Sequence, residues 1–239
     1  MIRERQDGQL GFVLHTYPFR ETSLVVETFT RAHGRIGMVA RGAKRPRSAL
    51  RGNIMAFQPL ALAWSGRGEL RMLLRAEWQG GQPRLHGKAL LCGFYLNELL
   101  LKLLPREDAH ESLFDDYQSA LLRLGAEAEP DAVLRRFEKA LLRELGYALT
   151  LDRDSASGAG IDPHKSYTYL VDRGPVALNG KEHAGLVLSG QTLLDIVRDE
   201  YADAQTLQQA KALMRLLISH RLEQKTLNSR RIFKELQQL

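Results

Sequence analysis

Cysteine is almost missing: Cys92 is the only one in 239 residues. A lone thiol excludes an intramolecular disulfide framework and any zinc site built on cysteines. It fits a reducing compartment. No stretch reaches the roughly 18 consecutive apolar residues that a membrane span requires. The first residues, MIRERQDG, carry charge with no apolar core behind them, so they do not read as a signal peptide. A cytoplasmic protein with no membrane contact is expected. Catalytic patterns are missing too. There is no GxxxxGK[ST] phosphate loop, no GxGxxG, and the seven histidines are scattered without an HExxH pair. Cys92 lies in an apolar stretch and reads as a small buried hydrophobe.

What the chain does contain is unevenly placed charge. Residues 1–82 hold 13 basic and 6 acidic side chains, a balance of +7, while 83–239 hold 21 and 22, a balance of −1. The excess of the whole chain therefore sits in its first third. An asymmetry of this kind points to a polyanionic partner.

That first third reads as β structure. Residues 9–17, 22–30, 34–40, 59–64 and 69–78 alternate and favour β-branched side chains. Breaks at His33-Gly34, Arg41-Gly42 and Ser65-Gly66-Arg67-Gly68 separate them, and the last reads as a hairpin turn. Five short strands in about 80 residues suggest a small closed barrel, since closure removes exposed edges. An OB-fold and an SH3-like barrel both fit.

Near Pro83 the period changes. Apolar residues from Leu85 to Leu104 recur at helical spacing until Pro105 ends the run. A second helix fits 110–124, with Gly125 as its cap. A third starts at Pro130, with Asp131 in its first turn, and stops at Gly146. These three helices are expected to pack as one bundle. Residues 152–165 (DRDSASGAGIDPHK) read as a loop, 166–171 and 185–188 as short strands, and 190–200 as a helix. Asp203 is the expected N-cap of a last helix reaching Arg221.

The strongest local signal is the run RGAKRPRSALRG, residues 41–52. Between Glu27 and Glu69 there is no acidic residue, yet the window holds Arg31, Arg35, Arg41, Lys44, Arg45, Arg47, Arg51 and Arg67. Eight cations without a carboxylate have no local ion-pair partner. A phosphate chain would neutralise them and release counterions. The competing reading is a solvated basic loop. Aromatics could add stacking. Of Phe12, Tyr17, Phe19, Phe29, Phe57, Trp64 and Trp78, most read as core, and Tyr17 and Phe19, flanking Pro18, are the ones expected at the surface.

Other clusters are weaker. Asp115-Asp116 reads as a solvated helix face. Asp152, Asp154, Asp162 and His164 match no metal-ligand spacing. On the third helix, Arg135 and Lys139 are four apart and share a face, with Arg136 and Phe137 between them. That face could hold an acidic, aromatic-ended peptide. Pairing with Glu138 or Asp131 is the simpler reading of the spacing.

The stretches GFVLHTYPFRETSLVVETFTRAHGRIGMVARGAKRPRS, GFYLNELLLKLLPREDAHESLFDDY and RRFEKALLRELGYALTLDRD resemble the bacterial DNA repair protein RecO family. So does the ending Leu227-Asn228-Ser229-Arg230-Arg231-Ile232-Phe233, close to that family's LxSRxxF. The resemblance covers nearly the whole chain in order. It implies an α+β protein: an N-terminal five-stranded OB-fold barrel over 1–82 and a mainly helical domain over 83–239. It implies no enzymatic activity and no cofactor. The implied role is binding of single- and double-stranded DNA, annealing of complementary strands and, with RecR, loading of RecA on DNA coated by single-strand-binding protein (SSB). The eight cations of the window would then contact DNA. Arg135 and Arg136, in the RRFE segment, and Lys139 just after it would contact the acidic SSB tail. The implied place is the bacterial cytoplasm, at the nucleoid.

One departure stands out. Many members carry a zinc-binding CxxCG pair after the LGY segment. Here that place reads Asp154-Ser155-Ala156-Ser157-Gly158, a poor ligand set, and no zinc is expected. The insert at about 152–188 would then pack on Tyr167, Tyr169, Leu170, Val176, Leu186 and Val187. Two other readings remain: an RNA-binding barrel on a helical scaffold, and a Mg²⁺-dependent nuclease using Asp152, Asp154 and Asp162.

Overall fold

A computed structural model describes residues 5–126, 128–147, 149–178, 185–222, 226–229 and 231–232. Five strands, β1 (Arg5–Phe19), β2 (Ser23–Thr30), β3 (Gly34–Ala40), β4 (Leu60–Ser65) and β5 (Leu70–Trp78), close into a barrel of order β1-β2-β3-β5-β4. Only β3 and β5 pair in parallel. This is the OB-like barrel expected. Its interior is filled by Val13, Val26, Ile36, Met38, Leu60, Leu62, Trp64 and Leu73, all buried. β1 is long enough to pair with β2 along one half and β4 along the other, with irregularities near Val13 and Gln6 that let it bend around the barrel.

The helices are α1 (Gly87–Leu103), α2 (Glu111–Gly125), α3 (Pro130–Glu144), α4 (Gly190–Arg198) and α5 (Ala204–Arg221). Between α3 and α4 lies a small antiparallel sheet, β7-β6-β8, from β6 (Ser166–Leu170), β7 (Gly174–Ala177) and β8 (Val187–Ser189). The strand β7 is not expected from the sequence; it is four residues long and opens on Gly174-Pro175, residue types that weaken a strand signal.

The chain forms two compact units, Met1–Ala128 with Leu227–Leu239, and Glu129–Thr226. The single bundle expected of the first three helices is therefore divided. α1 and α2 belong to the first unit, and α3 packs with α5 in the second. The reason is a four-ring cluster. Phe12 and Phe29 face each other across β1 and β2, and their rings lie 5.4 Å from Phe114 and 5.2 and 6.1 Å from Tyr117 on α2. Such pairs add about 0.5–1.5 kcal/mol each beyond the area they bury. Asn97 on α1 completes the join: its amide donates to the Leu14 carbonyl at 2.9 Å and accepts from the Tyr117 hydroxyl at 2.6 Å. The helix α2 also runs through Gly125 rather than stopping there, and caps at Ala126. A Cβ at Gly125 would come within 2.7 Å of Pro83.

The C-terminal motif has a structural job in the first unit. Leu227 and Ser229 are buried, and Glu98 of α1 accepts from the Asn228 amide at 2.8 Å, the Ser229 amide at 2.9 Å and the Ser229 hydroxyl at 2.6 Å. Burial pushes the Glu98 carboxyl up, but the Ser229, Lys102 and Asn228 hydrogen bonds outweigh it and hold it below the ordinary value. A depressed folded-state pKa contributes stability above the ordinary carboxylate range, and that contribution is lost as pH falls through the folded value. The wild-type protein is expected to exceed Glu98→Gln in melting temperature at pH 7, with the gap closing on acidification below about pH 4. A gap that stays constant with pH would show that the charge on Glu98 does not hold this clasp.

In the second unit, Ser189 and Asp203 cap α4 and α5 by accepting from the amides of Thr192 and Thr206. The insert packs on Tyr167, Tyr169, Leu188 and Ile161. Leu170 and Val187, expected inside, are 42% and 43% exposed. At the place of the CxxCG pair, the Asp154 carboxylate accepts from the Ala156 amide at 2.9 Å and the Ser157 hydroxyl at 3.0 Å. These bonds, the amide first, hold its pKa below the ordinary value. The two side chains thus close the turn by hydrogen bonding to each other.

Candidate nucleic-acid interface

The segment from Arg41 to Phe57 leaves β3 and returns to β4, and it is pinned rather than loose. Ala43 is buried in the barrel core, and Leu50 and Ile54 pack against that core. Successive tight turns carry the backbone: Arg45 N–H to Gly42 at 3.0 Å, Ser48 to Arg45 at 3.1 Å, Arg51 to Ser48 at 3.1 Å and Ile54 to Leu50 at 3.1 Å. Its start is tied to the β1–β2 turn by Lys44 N–H to the Thr22 carbonyl at 2.9 Å. Its end is tied to β5 by the Asn53 amide, which donates to the Ala76 carbonyl at 2.9 Å. Small and apolar residues face in, and Arg41, Lys44, Arg45, Arg47 and Arg51 are exposed. None of these five forms an ion pair among the described residues. The result is a preformed cationic ribbon, which spares a bound polyanion much of the ordering cost.

The window's other three cations lie elsewhere. Arg31 is not without a partner: it pairs with Asp115 at 3.0 Å and Glu111 at 2.5 Å. The hydrogen bond to Asp115 leads the causes that raise its pKa, and Asp115 is lowered in return. Both carboxylates come from α2, some 80 residues on, where a search within the window could not find them. Arg35 is half-buried. Its guanidinium donates to the Leu101 carbonyl, and burial lowers its pKa while Glu27 pulls it back up. It lines a groove of about 620 Å³ that also holds Tyr17, Phe94, Lys102, Arg106 and Ile232. Glu27, at the edge of the acid-free window, is buried and bound by Arg106. Arg67 is exposed on the β4–β5 turn.

The aromatics divide differently from expectation. Tyr17 is 46% exposed, edge-on to His15 at 4.5 Å, and Phe19 is half-buried. Trp78, read as core from its strand, is 56% exposed. It sits at the last position of β5, opposite Leu60, where the strand leaves the barrel.

On α3, Arg135 and Glu138 form a buried pair, with Nε to Oε2 at 2.6 Å and Nη2 to Oε1 at 2.8 Å. Spacing suggests a surface pairing with Glu138 or Asp131; the partner is Glu138, and the pair is buried. Arg136 donates to the Asp199 carbonyl at 2.9 Å and lies 5.3 Å from the centre of the Tyr201 ring. Lys139 donates to the carbonyls of Ile196 at 2.7 Å and Val197 at 3.0 Å and to the Asp199 carboxylate at 2.9 Å. The two cations therefore satisfy the carbonyl end of α4, where positive charge is favoured. Among the described residues, no group of three or more His, Cys, Asp or Glu could hold a metal ion, and no helix is long and apolar enough to cross a membrane.

Fold and order of elements define an α+β protein in which an OB-like barrel precedes helices. The chain belongs to the RecO family of DNA repair proteins. The family patterns "Recombination protein O N terminal" and "Recombination protein O C terminal" match residues 6–81 and 84–231. The chain is 56% identical to the DNA repair protein RecO of Aromatoleum aromaticum over 99% of both chains. It is 54% identical to that of Dechloromonas aromatica, over 100% of this chain and 99% of the relative. The family patterns meet between 81 and 84, whereas the compact units divide at 128.

Proposed function

We propose that the protein binds single- and double-stranded DNA through the cationic ribbon and anneals complementary strands. In concert with RecR, it promotes loading of RecA on SSB-coated single strands during gap repair and recombination. The observation that carries the reading is the ribbon itself: five exposed cations, held in fixed turns and lacking ion-pair partners among the described residues. Membership of a DNA repair family supports it. Phosphates of two strands neutralised on one surface repel each other less, so base pairing proceeds. Contacts to phosphate carry no sequence information, and binding is sequence-independent. No bond is made or broken in this scheme and no cofactor enters it. Arg41, Lys44, Arg45, Arg47 and Arg51 are the primary contacts, with Arg35 and Arg67 as secondary ones. Arg31 contributes only to the extent that Asp115 and Glu111 release it.

The acidic SSB tail docks on the second unit at Arg136 and Lys139, which together carry one more positive charge than Asp199 cancels. Arg135 positions this face from beneath rather than touching the tail freely. An annealing assay with labelled complementary strands tests both parts. The protein should speed annealing of bare strands, and of strands coated by intact SSB more than by tail-deleted SSB. No acceleration on bare strands overturns the annealing reading, and indifference to the tail overturns the docking. Competition with RNA of the same sequence decides against an RNA-binding barrel if DNA is held more tightly.

A further inference from the structure

Trp78 carries charge-free surface to the end of the cationic ribbon, and three features of it are unusual together. It is the most exposed of the large exposed hydrophobic side chains, at 56%. An indole left in water has a face free for stacking. Its ring is nevertheless held: the indole Nε1 donates to the Gln58 side-chain oxygen at 2.9 Å, and Gln58 is itself buried, with its amide toward the Gln82 carbonyl at 3.4 Å. Finally, the backbone beside that glutamine is strained. Phe57, the residue before it, has φ of 63°, a conformation a bulky side chain adopts only when its surroundings force it. Phe57 is locked by its ring contact with Phe94 at 5.0 Å and by Gly93, where a Cβ would stand 2.9 Å from the ring. A strained residue, a buried amide and a fixed but exposed indole form one chain of contacts ending at the surface.

The ribbon is tied to the same strand. Asn53, two residues past Arg51, is bonded to the carbonyl of Ala76, two residues before Trp78 on β5. The adjacent Glu77 carboxylate lies 3.5 Å from Arg75, which offsets its repulsion of a phosphate chain. We infer that Trp78 is a stacking platform for one unpaired base of a single strand whose phosphates lie on the ribbon. This rests on the DNA-binding reading above and refines it. The ribbon accepts duplex and single strands alike, while the indole face rewards only a base free of its partner. An unpaired base is what a strand offers before annealing, and pairing removes it from the platform.

The test uses the full-length protein and three variants, Trp78→Ala, Trp78→Phe and the ribbon triple variant Lys44→Ala/Arg45→Ala/Arg47→Ala, titrated with a mixed-sequence single strand and the matching duplex. Trp78→Ala should weaken single-strand binding by roughly 5- to 100-fold, the range for loss of one stacked base, with duplex binding changed less than about twofold. Trp78→Phe keeps a stacking face and should retain most of the affinity, which separates stacking from loss of the Gln58 bond. Trp64 is buried, so single strands should quench the exposed indole's fluorescence and duplex should not. Single-strand affinity of Trp78→Ala within twofold of wild type overturns the inference. So does an equal loss on both forms of DNA. If the triple variant loses both forms while Trp78→Ala loses neither, the ribbon stands and the platform falls. If the triple variant loses neither, the DNA-binding reading itself falls.

Discussion

Replacing Lys44, Arg45 and Arg47 together with alanine should lower duplex affinity by roughly 100-fold at about 0.15 M salt and flatten its salt dependence. Each phosphate contact contributes about 0.9 to the slope of log K against log salt concentration on duplex and about 0.7 on single strands. Three contacts therefore remove up to about 2.7 and 2.1 from the two slopes. Near 0.15 M the logarithm of the salt concentration is about −0.8, so the duplex slope converts to about two decades in K. Stability should not change, because the three side chains are exposed and the pins Ala43, Leu50 and Ile54 stay in place. Binding measured by anisotropy at several salt concentrations reads both quantities. Arg31→Ala is the matched contrast. Its charge is already shared with Asp115 and Glu111, so the slope should change by much less than one contact. If the triple variant binds with unchanged slope, the ribbon is a solvated surface.

The second large effect is on stability. Arg135→Ala should destabilise the protein by about 3–5 kcal/mol, because it removes the guanidinium that pairs with Glu138, whose side chain is 1% exposed. For a unit of this size that is a fall in melting temperature of more than about 10 °C. Removing both charges with apolar side chains of similar volume, Arg135→Met with Glu138→Leu, should recover most of it, since desolvation of the pair cancels much of its attraction. Thermal melts of the two variants give the answer. Equal losses would mean that packing, not charge, sets the cost. Loss of tail binding in Arg135→Ala therefore reports folding as much as contact. Arg136→Ala and Lys139→Ala, whose head groups sit at the end of α4, are the variants that read docking.

Much of this arrangement is legible along the chain. The five strands appear within a few residues of their observed ends, because alternation with β-branched residues is a local pattern. The cap at Asp203 follows from a side chain that reaches an amide three residues away. The ribbon is legible from the lack of acid between Glu27 and Glu69. What local pattern misreads is partnership over distance. Arg31 looked unpaired because its carboxylates come from α2. Trp78 looked buried as an aromatic within a barrel strand, whereas its place at the strand's end leaves it 56% exposed. α3 looked like a third member of one bundle because helical period says nothing about which helix is the neighbour.

Composition and spacing are sufficient for the barrel, the helices and the cationic segment, since each depends on residues close in sequence. Only the folded chain decides which cations remain available. Arg31, Arg35, Arg136 and Lys139 are engaged by groups on other elements and Arg135 by Glu138 on its own helix, while Arg41, Lys44, Arg45, Arg47 and Arg51 are turned outward by the apolar pins beneath them. The physical reason is that charge is carried by the chain, but its neutralisation depends on which distant groups packing brings within a few ångströms.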